Sequence, residues 1–280
     1  MIKRYETFAQ PVYVIADIHG AFDILKGSLE TYESINHCVL IIAGDVGLGF
    51  RSDVHYQAEF EEINNFLLER HIKCYMVRGN HDDPSYFNEE KINFTNIKSV
   101  PDYSIITVGD YHILCVGGGI SIDRLYRKAE YEGRLKLAQT YHPYFTEEEL
   151  KNVFCFPSYW EDEMPVYDED KLNEINDLGL NISYVISHTS PHFCFKNDKD
   201  GIKRFIEKDP QLSEDLDVER ATMTSIYNKL KEDNHLLLKW VYGHFHSHND
   251  DMIEGTRFIA LCASDWTFDA IQLKLDEMTW

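Results

Sequence analysis

Five short apolar runs in this chain are each followed at once by residues that can bind a metal ion. The runs are rich in β-branched residues, a composition typical of buried strands. The polar clusters after them are Asp17-Ile18-His19-Gly20, Gly44-Asp45, Gly79-Asn80-His81-Asp82, Ser187-His188 and Gly243-His244-Phe245-His246. In an α/β sheet the strand ends and their following loops converge, so clusters far apart in sequence can meet. This pattern favours an α/β fold with a site at the C-terminal ends of strands.

Similar apolar runs continue through most of the chain and alternate with helical patterns. We predict strands over Val12–Ala16, Cys38–Ala43, Lys73–Val77, Ser104–Val108, His112–Val116, Tyr184–Ser187, Leu237–Tyr242, Arg257–Leu261 and Ala270–Leu275. Between them, residues 58–70 have the apolar spacing of a helix. Strands that alternate with helices indicate an α/β sheet, whereas the closely spaced runs near 104–116 and 257–275 indicate antiparallel hairpins. The sheets are therefore expected to be mixed.

The stretch from about 121 to 181 breaks this rhythm, because it is rich in Tyr, Phe and charged residues and poor in β-branched runs. We interpret it as an insertion in a single domain that spans residues 1–280. Inside it, Thr146-Glu147-Glu148-Glu149 precedes apolar residues and matches a capping box that opens a short helix. A second polar stretch, from Lys196 to about Val218, is expected to be a long loop with some helix.

The composition limits the partners and the compartment. The formal net charge is −21, a sign that repels phosphate backbones and anionic lipid, so we expect neither a polynucleotide nor a membrane as partner. The six cysteines are far apart without a CxxC pair, which favours reduced core thiols and a cytoplasmic setting. The sequence has neither a signal-peptide run nor an apolar window of the roughly 18 residues that span a membrane.

Each polar cluster alone has an ordinary alternative. Asp-x-His after a strand is commonly a helix cap, and Asn80-His81-Asp82 is typical of a turn. Turn chemistry does not explain why all five clusters occur together. Two carboxylates, one amide oxygen and four imidazoles, without a thiolate, suit two divalent ions such as Mn, Fe, Zn or Co better than Ca. Two such ions would outweigh the carboxylates and hold a phosphate on an acidic protein.

The order D-x-H, G-D, G-N-H-[DE], [SG]-H and G-H-x-H resembles the calcineurin-like metallophosphoesterase family. Asp17-Ile18-His19-Gly20 and Arg78-Gly79-Asn80-His81 are especially similar to its serine/threonine phosphatase and diadenosine-tetraphosphatase branches. The resemblance implies a four-layer α/β/β/α sandwich of two mixed β-sheets with the metals at one edge. One departure concerns phosphate binding: the phosphatase branch continues after Gly-Asp with Asp-Arg-Gly, whereas this chain reads Val46-Gly47-Leu48-Gly49-Phe50-Arg51. The arginine that grips phosphate there is missing or shifted to Arg51.

The resemblance also implies a role for each residue. Asp17, His19 and His246 would hold one ion, Asn80, His188 and His244 the other, and Asp45 would bridge them. A metal-bridging hydroxide would attack the phosphorus while His81, as general acid, protonates the leaving oxygen. Arg78, Arg124 and Arg127 are candidates for gripping the substrate phosphate, with an ion pair as the alternative. Asp82 is a candidate for orienting His81 or a ligand, with a solvated turn as the alternative.

We therefore predict a dimetal-dependent, phosphatase-like hydrolase of phosphoesters, whose substrate is a phosphorylated small molecule or a phosphoprotein. A phosphodiesterase or nuclease with the same metal centre is the first alternative. An inactive scaffold of this fold that serves as a binding module is the second. All seven ligand positions hold coordinating residues, which counts against the scaffold.

Overall fold

The computed structural model describes residues 1–8, 10–31, 35–194, 201–264, 267–268 and 271–273. In chain order its elements are β1 (Arg4–Thr7), β2 (Val12–Ile15), α1 (Phe22–Thr31), β3 (Val39–Ala43), α2 (Asp53–Glu69), β4 (Lys73–Val77), α3 (Ser85–Asn88), β5 (Ile97–Ser99), β6 (Ser104–Val108), β7 (Tyr111–Val116), α4 (Arg124–Tyr141), α5 (Glu147–Val153), α6 (Glu169–Asp177), β8 (Ile182–Ser187), α7 (Lys203–Ile206), α8 (Leu212–Glu232), β9 (Lys239–Tyr242), β10 (Asn249–Ile253), β11 (Thr256–Ala260), β12 (Ala263–Ser264), β13 (Thr267–Phe268) and β14 (Ile271–Leu273). Within these ranges, the helices are too short or too polar to cross a membrane.

The smaller main sheet has the strand order β14-β2-β3-β4-β5, with β2 to β5 parallel and β14 antiparallel to β2. Alternate residues of β3 face opposite layers. Leu40 and Ile42 belong to the core shared with α1 and α2, whereas Val39 and Ile41 belong to the core between the sheets. Because β3 is buried on both faces, its sequence VLIIA is continuously apolar.

The larger sheet has the order β1-β6-β7-β8-β9-β11-β10 and contains both parallel and antiparallel pairs. On its outer face, Trp240 of β9 shares a core with Leu172 of α6 and Met223 of α8. On its inner face, Val241 belongs to the same core as Val39 of the smaller sheet. The layers are helices, sheet, sheet and helices, which confirms the four-layer α/β/β/α sandwich of two mixed β-sheets.

Most of the predicted strands lie close to those observed. Lys73–Val77 and Ser104–Val108 coincide with β4 and β6, and the hairpin over 104–116 is confirmed by antiparallel pairing of β6 with β7. The hairpin predicted near 257–275 is wrong as a pairing of its two apolar runs, because β11 pairs with β9 and β10 whereas β14 lies in the other sheet. The antiparallel pair within this range is formed by the short strands β12 and β13. Residue 270 and residues 274–275 of the last predicted strand lie outside the described residues.

The two polar stretches contain more helix than strand. In 121–181 the structure has α4, α5 and α6, and the predicted capping box of Thr146 opens α5. In the stretch predicted as mostly loop up to Val218, α8 begins at Leu212 and runs for 21 residues; residues 196–200 of that stretch lie outside the described ones. All 18 residues of α4 are described and none of them is buried.

Candidate metal centre

Five of the seven predicted ligands lie on backbone of unusual conformation. Asp17, His19, Asp45, His244 and His246 have φ between +47° and +70°. The left-handed region costs a residue with a Cβ about 1–2 kcal/mol, and Asp, Asn and His occupy it more often than other residue types. Non-glycine residues in such conformations cluster at functional sites. Here they lie just after β2, β3 and β9, where the turns direct the side chains to one edge of the sandwich.

Four of the predicted ligands form a compact group that we call the buried half: Asn80, His188, His244 and Asp45. The Oδ1 atom of Asn80 lies 2.9 Å from Nε2 of His188 and 2.8 Å from Nδ1 of His244. Nε2 of His188 lies 3.1 Å from Nδ1 of His244 and 3.2 Å from Oδ1 of Asp45. Donor atoms that share one ion at about 2.0–2.2 Å lie about 3.0–3.5 Å apart. The four atoms therefore converge as the ligands of a single ion would.

Hydrogen bonds behind the buried half fix the direction of its donor atoms. Nδ1 of His188 lies 3.0 Å from the carbonyl oxygen of Ala43, so this nitrogen carries the proton and Nε2 turns a lone pair toward the centre. Nδ2 of Asn80 donates to Oγ of Ser121 at 2.9 Å, which leaves Oδ1 facing inward. Ser121 in turn donates through its N–H and Oγ–H to the carboxylate of Glu163, each at 2.7 Å.

Glu163 comes from the polar segment between β7 and β8, far from the ligand motifs in sequence. Its side chain is buried, and burial raises the pKa of its carboxyl group to about 8, against the two hydrogen bonds from Ser121 that favour the ionised form. Its backbone carbonyl accepts hydrogen bonds from Arg78 at 2.6 Å and from the N–H of Gly119 at 3.1 Å. The segment is thereby attached directly behind Asn80.

The remaining predicted ligands, Asp17, His19 and His246, form what we call the open half. Donor atoms of these three residues and of Asp45 all lie within 4.8 Å of one another. Nε2 of His19 lies 3.4 Å from Nε2 of His246 and 3.8 Å from Oδ2 of Asp45. Asp17 is buried, whereas the two histidines are exposed. The group has the donors for a second ion but a looser arrangement and contact with solvent.

Asp45 lies between the two halves. The surroundings of its two carboxylate oxygens show whether cations fit there. Its carboxylate is fully buried; Oδ1 accepts the N–H of His81 at 2.8 Å, and Oδ2 accepts no hydrogen bond within the described part of the chain. An unpaired buried carboxylate oxygen is costly unless a cation meets it. This oxygen faces the open half while Oδ1 faces the buried half, so the residues fit a pair of divalent ions with Asp45 between them.

The pKa values of Asp45 and His188 also indicate that the centre favours positive charge. Burial alone would raise the pKa of Asp45, but the imidazole of His188, followed by those of His81 and His19, holds it well below its usual range. Burial would likewise lower the pKa of His188, yet Asp45 and then Asp17 outweigh it and raise the pKa to about 9. The buried carboxylates thus favour positive charge at the centre, which divalent cations would supply.

Asp82 joins the two loops that carry Asp45 and Asn80. Its carboxylate is fully buried and accepts four backbone N–H groups, from Gly47 and Gly79 at 2.7 Å, from Leu48 at 3.0 Å and from Val46 at 3.1 Å. The alternative of a solvated turn residue is therefore wrong. Asp82 acts on the centre by holding the loop after β3 against the loop after β4.

A cavity of about 380 Å³ opens beside the open half. The described residues that line it include His19, His81 and Arg127, together with Phe50, Arg51 and Tyr56 from the loop after β3 and from α2. Nη2 of Arg127 lies 3.1 Å from Nε2 and 3.3 Å from Nδ1 of His81. His81 lies outside the group of mutually close donors of the open half. Its ring lines the cavity instead.

Two of the three arginines predicted to grip phosphate, Arg78 and Arg124, lie away from this cavity, whereas the third, Arg127, lines it. Arg78 is buried, where it forms an ion pair with Asp102 at 2.8 Å and donates to the carbonyl of Glu163. Arg124 pairs with Asp209 at 2.6 Å and with Asp215 at 2.5 Å. Neither is among the described residues that line the cavity. The prediction for both is corrected accordingly, because their guanidinium groups form ion pairs within the structure. Arg127, one helical turn after Arg124, is the arginine beside His81.

Comparisons with known proteins identify a family and similar solved structures. A family model described as calcineurin-like phosphoesterase matches residues 10–248. The fold is similar to that of a dimetal phosphatase from Danio rerio, with 12% identity over 93% of this chain and 91% of that one and a TM-score of 0.45. It is also similar to a phosphopantetheinyl hydrolase from Mycobacterium tuberculosis (16% identity, 96% and 98% covered, TM-score 0.43) and to TT1561 of Thermus thermophilus (13%, 94% and 98%, 0.49). No curated protein sequence matches the chain.

Proposed function

The chain belongs to the calcineurin-like phosphoesterase family and is a phosphoric ester hydrolase, and from that premise we propose that it removes phosphate from small phosphomonoesters at a pair of divalent ions. Asn80, His188 and His244 would hold one ion, Asp17, His19 and His246 the other, and Asp45 both. The observation that carries this proposal is the buried carboxylate of Asp45, with one oxygen toward each half. The oxygen and nitrogen donors of the seven predicted ligands suit Mn, Fe, Zn or Co.

When bound, the two ions supply positive charge for the phosphate and lower the pKa of a water molecule for attack. The protein holds the predicted ligand atoms in position. Ser121 and the Ala43 carbonyl keep the amide oxygen of Asn80 and the Nε2 atom of His188 aimed at the centre before substrate arrives. Asp82 keeps the two loops in register. This preorganisation avoids the cost of moving polar groups at the moment of reaction.

His81 is the proposed general acid. Its backbone N–H is tied to Asp45, so the ring starts beside the centre, and its ring nitrogens lie on the cavity next to Arg127. A phosphate ester bound at the metals would direct its leaving oxygen into that cavity. His81 can donate a proton to this oxygen, while Arg127 pairs with a nonbridging phosphate oxygen.

The cavity favours a small substrate over a phosphoprotein. Its volume of about 380 Å³ lies in the range of small-molecule sites. Phe50 and Tyr56 offer aromatic surface, and Arg51 offers a second cation in addition to Arg127. We infer that the alcohol part of the ester is compact, partly apolar and able to carry a further negative group.

The test is hydrolysis of a panel of phosphomonoesters and phosphodiesters by metal-supplemented protein, with His81→Asn and His55→Asn compared across leaving groups. His55 lines the same cavity but lies on exposed α2 surface, away from the ligands. We expect monoesters to be preferred and His81→Asn to lower turnover of alkyl phosphates about 10²-fold, with less effect on nitrophenyl phosphate, whose leaving group needs little protonation. His55→Asn should change turnover little for every leaving group.

An equal loss for every leaving group, or loss of an ion in His81→Asn, would remove His81 from the acid role. Preference for diesters would favour the phosphodiesterase alternative on the same metal centre. Binding without turnover of any ester would favour the inactive scaffold.

A further inference from the structure

Two side chains of opposite charge, Arg51 and Glu59, line the cavity beside the open half. With the other described residues, the guanidinium group of Arg51 makes neither a hydrogen bond nor an ion pair. The carboxylate of Glu59 is half-buried and accepts no hydrogen bond from them; its ion-pair partner, Nε2 of His55, lies 3.7 Å away. The cavity therefore presents a guanidinium group and a carboxylate whose hydrogen-bonding capacity is open to a ligand.

These two groups face the same space without meeting each other. Although both belong to the described part of the chain, Arg51 and Glu59 form no ion pair together. Burial raises the pKa of the Glu59 carboxyl group, while the imidazole of His55 and, more weakly, the guanidinium of Arg51 lower it. A positive group bound beside Glu59 would offset the effect of its burial, just as an anion would satisfy Arg51.

The chain holds the two groups in a fixed relation. Arg51 lies just before α2, in the loop after β3, and Glu59 lies in the second turn of α2. The hydroxyl group of Tyr56, on the same helix, accepts the N–H of Phe50 at 3.1 Å and donates to the carbonyl of Gly47 at 2.8 Å. The loop is thereby tied to the helix one turn before Glu59. A ligand that meets both charges therefore needs little ordering of the backbone that carries them.

A ligand that satisfies both groups carries a cation and an anion close together. An ammonium and a carboxylate on one carbon atom, as in an amino acid, have this arrangement. An anion alone would meet repulsion from Glu59, and a cation alone would meet repulsion from Arg51. The volume of about 380 Å³ admits a molecule of this size.

We propose that the substrate is the phosphomonoester of a free amino acid, a step that rests on the proposed hydrolase function. The carboxylate of the amino acid pairs with Arg51 and its ammonium group pairs with Glu59, while the phosphate lies at the metal centre. The net charge of −21 disfavours an added carboxylate unless a local cation meets it. Tighter binding caused by a carboxylate would therefore indicate a specific partner such as Arg51.

The experiment measures binding of four phosphonates to the metal-supplemented full chain by calorimetry. They are the analogues of phosphoserine, phosphoethanolamine, phosphohydroxypropionate and ethyl phosphate in which a methylene group replaces the ester oxygen, so they cannot be hydrolysed. They share one skeleton and carry both charges, the ammonium only, the carboxylate only or neither. A second set with a phenyl spacer, derived from phosphotyrosine, covers a longer reach. In at least one set, we expect each charge to tighten binding at least about tenfold.

Two variants assign each charge to its partner. Arg51→Gln should remove the gain from the carboxylate and keep the gain from the ammonium group, and Glu59→Gln should do the reverse. Lys26→Gln and Glu62→Gln are the matched controls, because Lys26 and Glu62 pair with each other on a neighbouring groove and do not line the cavity. Both controls should bind all the phosphonates like wild type. Circular dichroism melts would establish that each variant is folded.

Three results would overturn the proposal: equal affinity for the four phosphonates in both sets, a gain that survives in the variant meant to remove it, or the same loss in the control variants. Kinetics with the parent esters separate this proposal from the hydrolase function. Selective binding of the phosphonates without hydrolysis of any ester would remove the hydrolase function and leave the amino-acid site. Hydrolysis of all the parent esters with equal kcat/KM would do the opposite.

Discussion

The two halves of the candidate metal centre each contain two imidazoles and share Asp45, but the buried half adds the amide of Asn80 and the open half the carboxylate of Asp17, and they also differ in construction. In the buried half the donor atoms lie 2.8–3.2 Å apart and their side chains are at most 1% exposed. In the open half the donor atoms spread over as much as 4.8 Å, and His19 and His246 reach solvent. Hydrogen bonds from behind orient Asn80 and His188 in the buried half.

The difference teaches that the packing around the donor atoms, and not only their charge, can set the affinity for an ion. Donors held at the right separation lose little freedom when an ion arrives, whereas exposed donors must be ordered by the ion itself. We expect the ion of the buried half to bind first and leave last. The ion of the open half should exchange with the medium.

The largest effect should come from the residue that belongs to both halves. Asp45→Asn keeps the shape but removes the charge between the ions, so we expect loss of both metals and a fall in kcat/KM of about 10³-fold or more. Metal analysis and steady-state kinetics measure this. Asp110→Asn, in the exposed turn between β6 and β7, is the matched control and should change neither. Near-normal metal content and turnover in Asp45→Asn would break the idea of a shared ligand.

Removing one imidazole from each half tests the contrast itself. His188→Ala should empty the buried half and lower the unfolding free energy of the metal-free protein by about 2 kcal/mol, because it leaves a cavity and an unpaired Ala43 carbonyl. His246→Ala should lose the exchangeable ion and cost less than about 0.5 kcal/mol, as exposed sites do. Metal stoichiometry and urea unfolding measure both. Equal losses of metal and of unfolding free energy in the two variants would contradict the proposed difference between the halves.

The hydrogen bond behind Asn80 should matter for affinity without any ligand being changed. Ser121→Ala leaves the amide of Asn80 free to turn, so we expect metal affinity of the buried half to fall about 10–100-fold. Ser225→Ala, whose hydroxyl bonds to the backbone of α8, should leave both affinities unchanged. Competitive titration with a chromophoric chelator resolves the two ions. A fall in metal affinity confined to the open half would contradict the assignment of Asn80 to the buried half.

The smallest effect concerns backbone conformation in the open half. At φ +47°, His19→Ala forces a Cβ into the left-handed region, whereas His19→Gly does not. In chelator-treated protein we expect the glycine variant to be more stable by about 1 kcal/mol. At Glu61, an exposed position inside α2, the order should reverse because glycine weakens a helix. Equal stability of the two His19 variants would mean that the loop relaxes when the imidazole is lost.

Buried strands were the most predictable part of the fold. β3 and β4 are apolar on both faces, so their sequences stand out. β1 (RYET) and β10 (NDDMI) lie at the edges of the larger sheet with largely polar sequences, and they were missed. The wrong hairpin near 257–275 has another cause, because strands that are close in sequence can join different sheets.

The convergence of the predicted ligands could be anticipated from the sequence because their motifs follow recognisable strands. Ser121 and Glu163 were missed, since a serine and a glutamate in a polar segment have no distinguishing spacing. The arginines illustrate the same limit. Arg124 and Arg127 lie one turn apart on α4, and only the packing of that helix determines that the first meets Asp209 and the second meets His81.

The attachment of Glu163 behind Asn80 limits how this scaffold can be re-engineered. Exchanging the segment 121–181 as a cassette to alter substrate range would also remove Ser121, Glu163 and Arg127, and with them the support of the predicted ligand Asn80 and the neighbour of His81. Substrate range and metal retention are therefore not separable modules here. A graft confined to residues 128–157 would keep all three residues, which makes this shorter stretch the interchangeable unit for directed evolution.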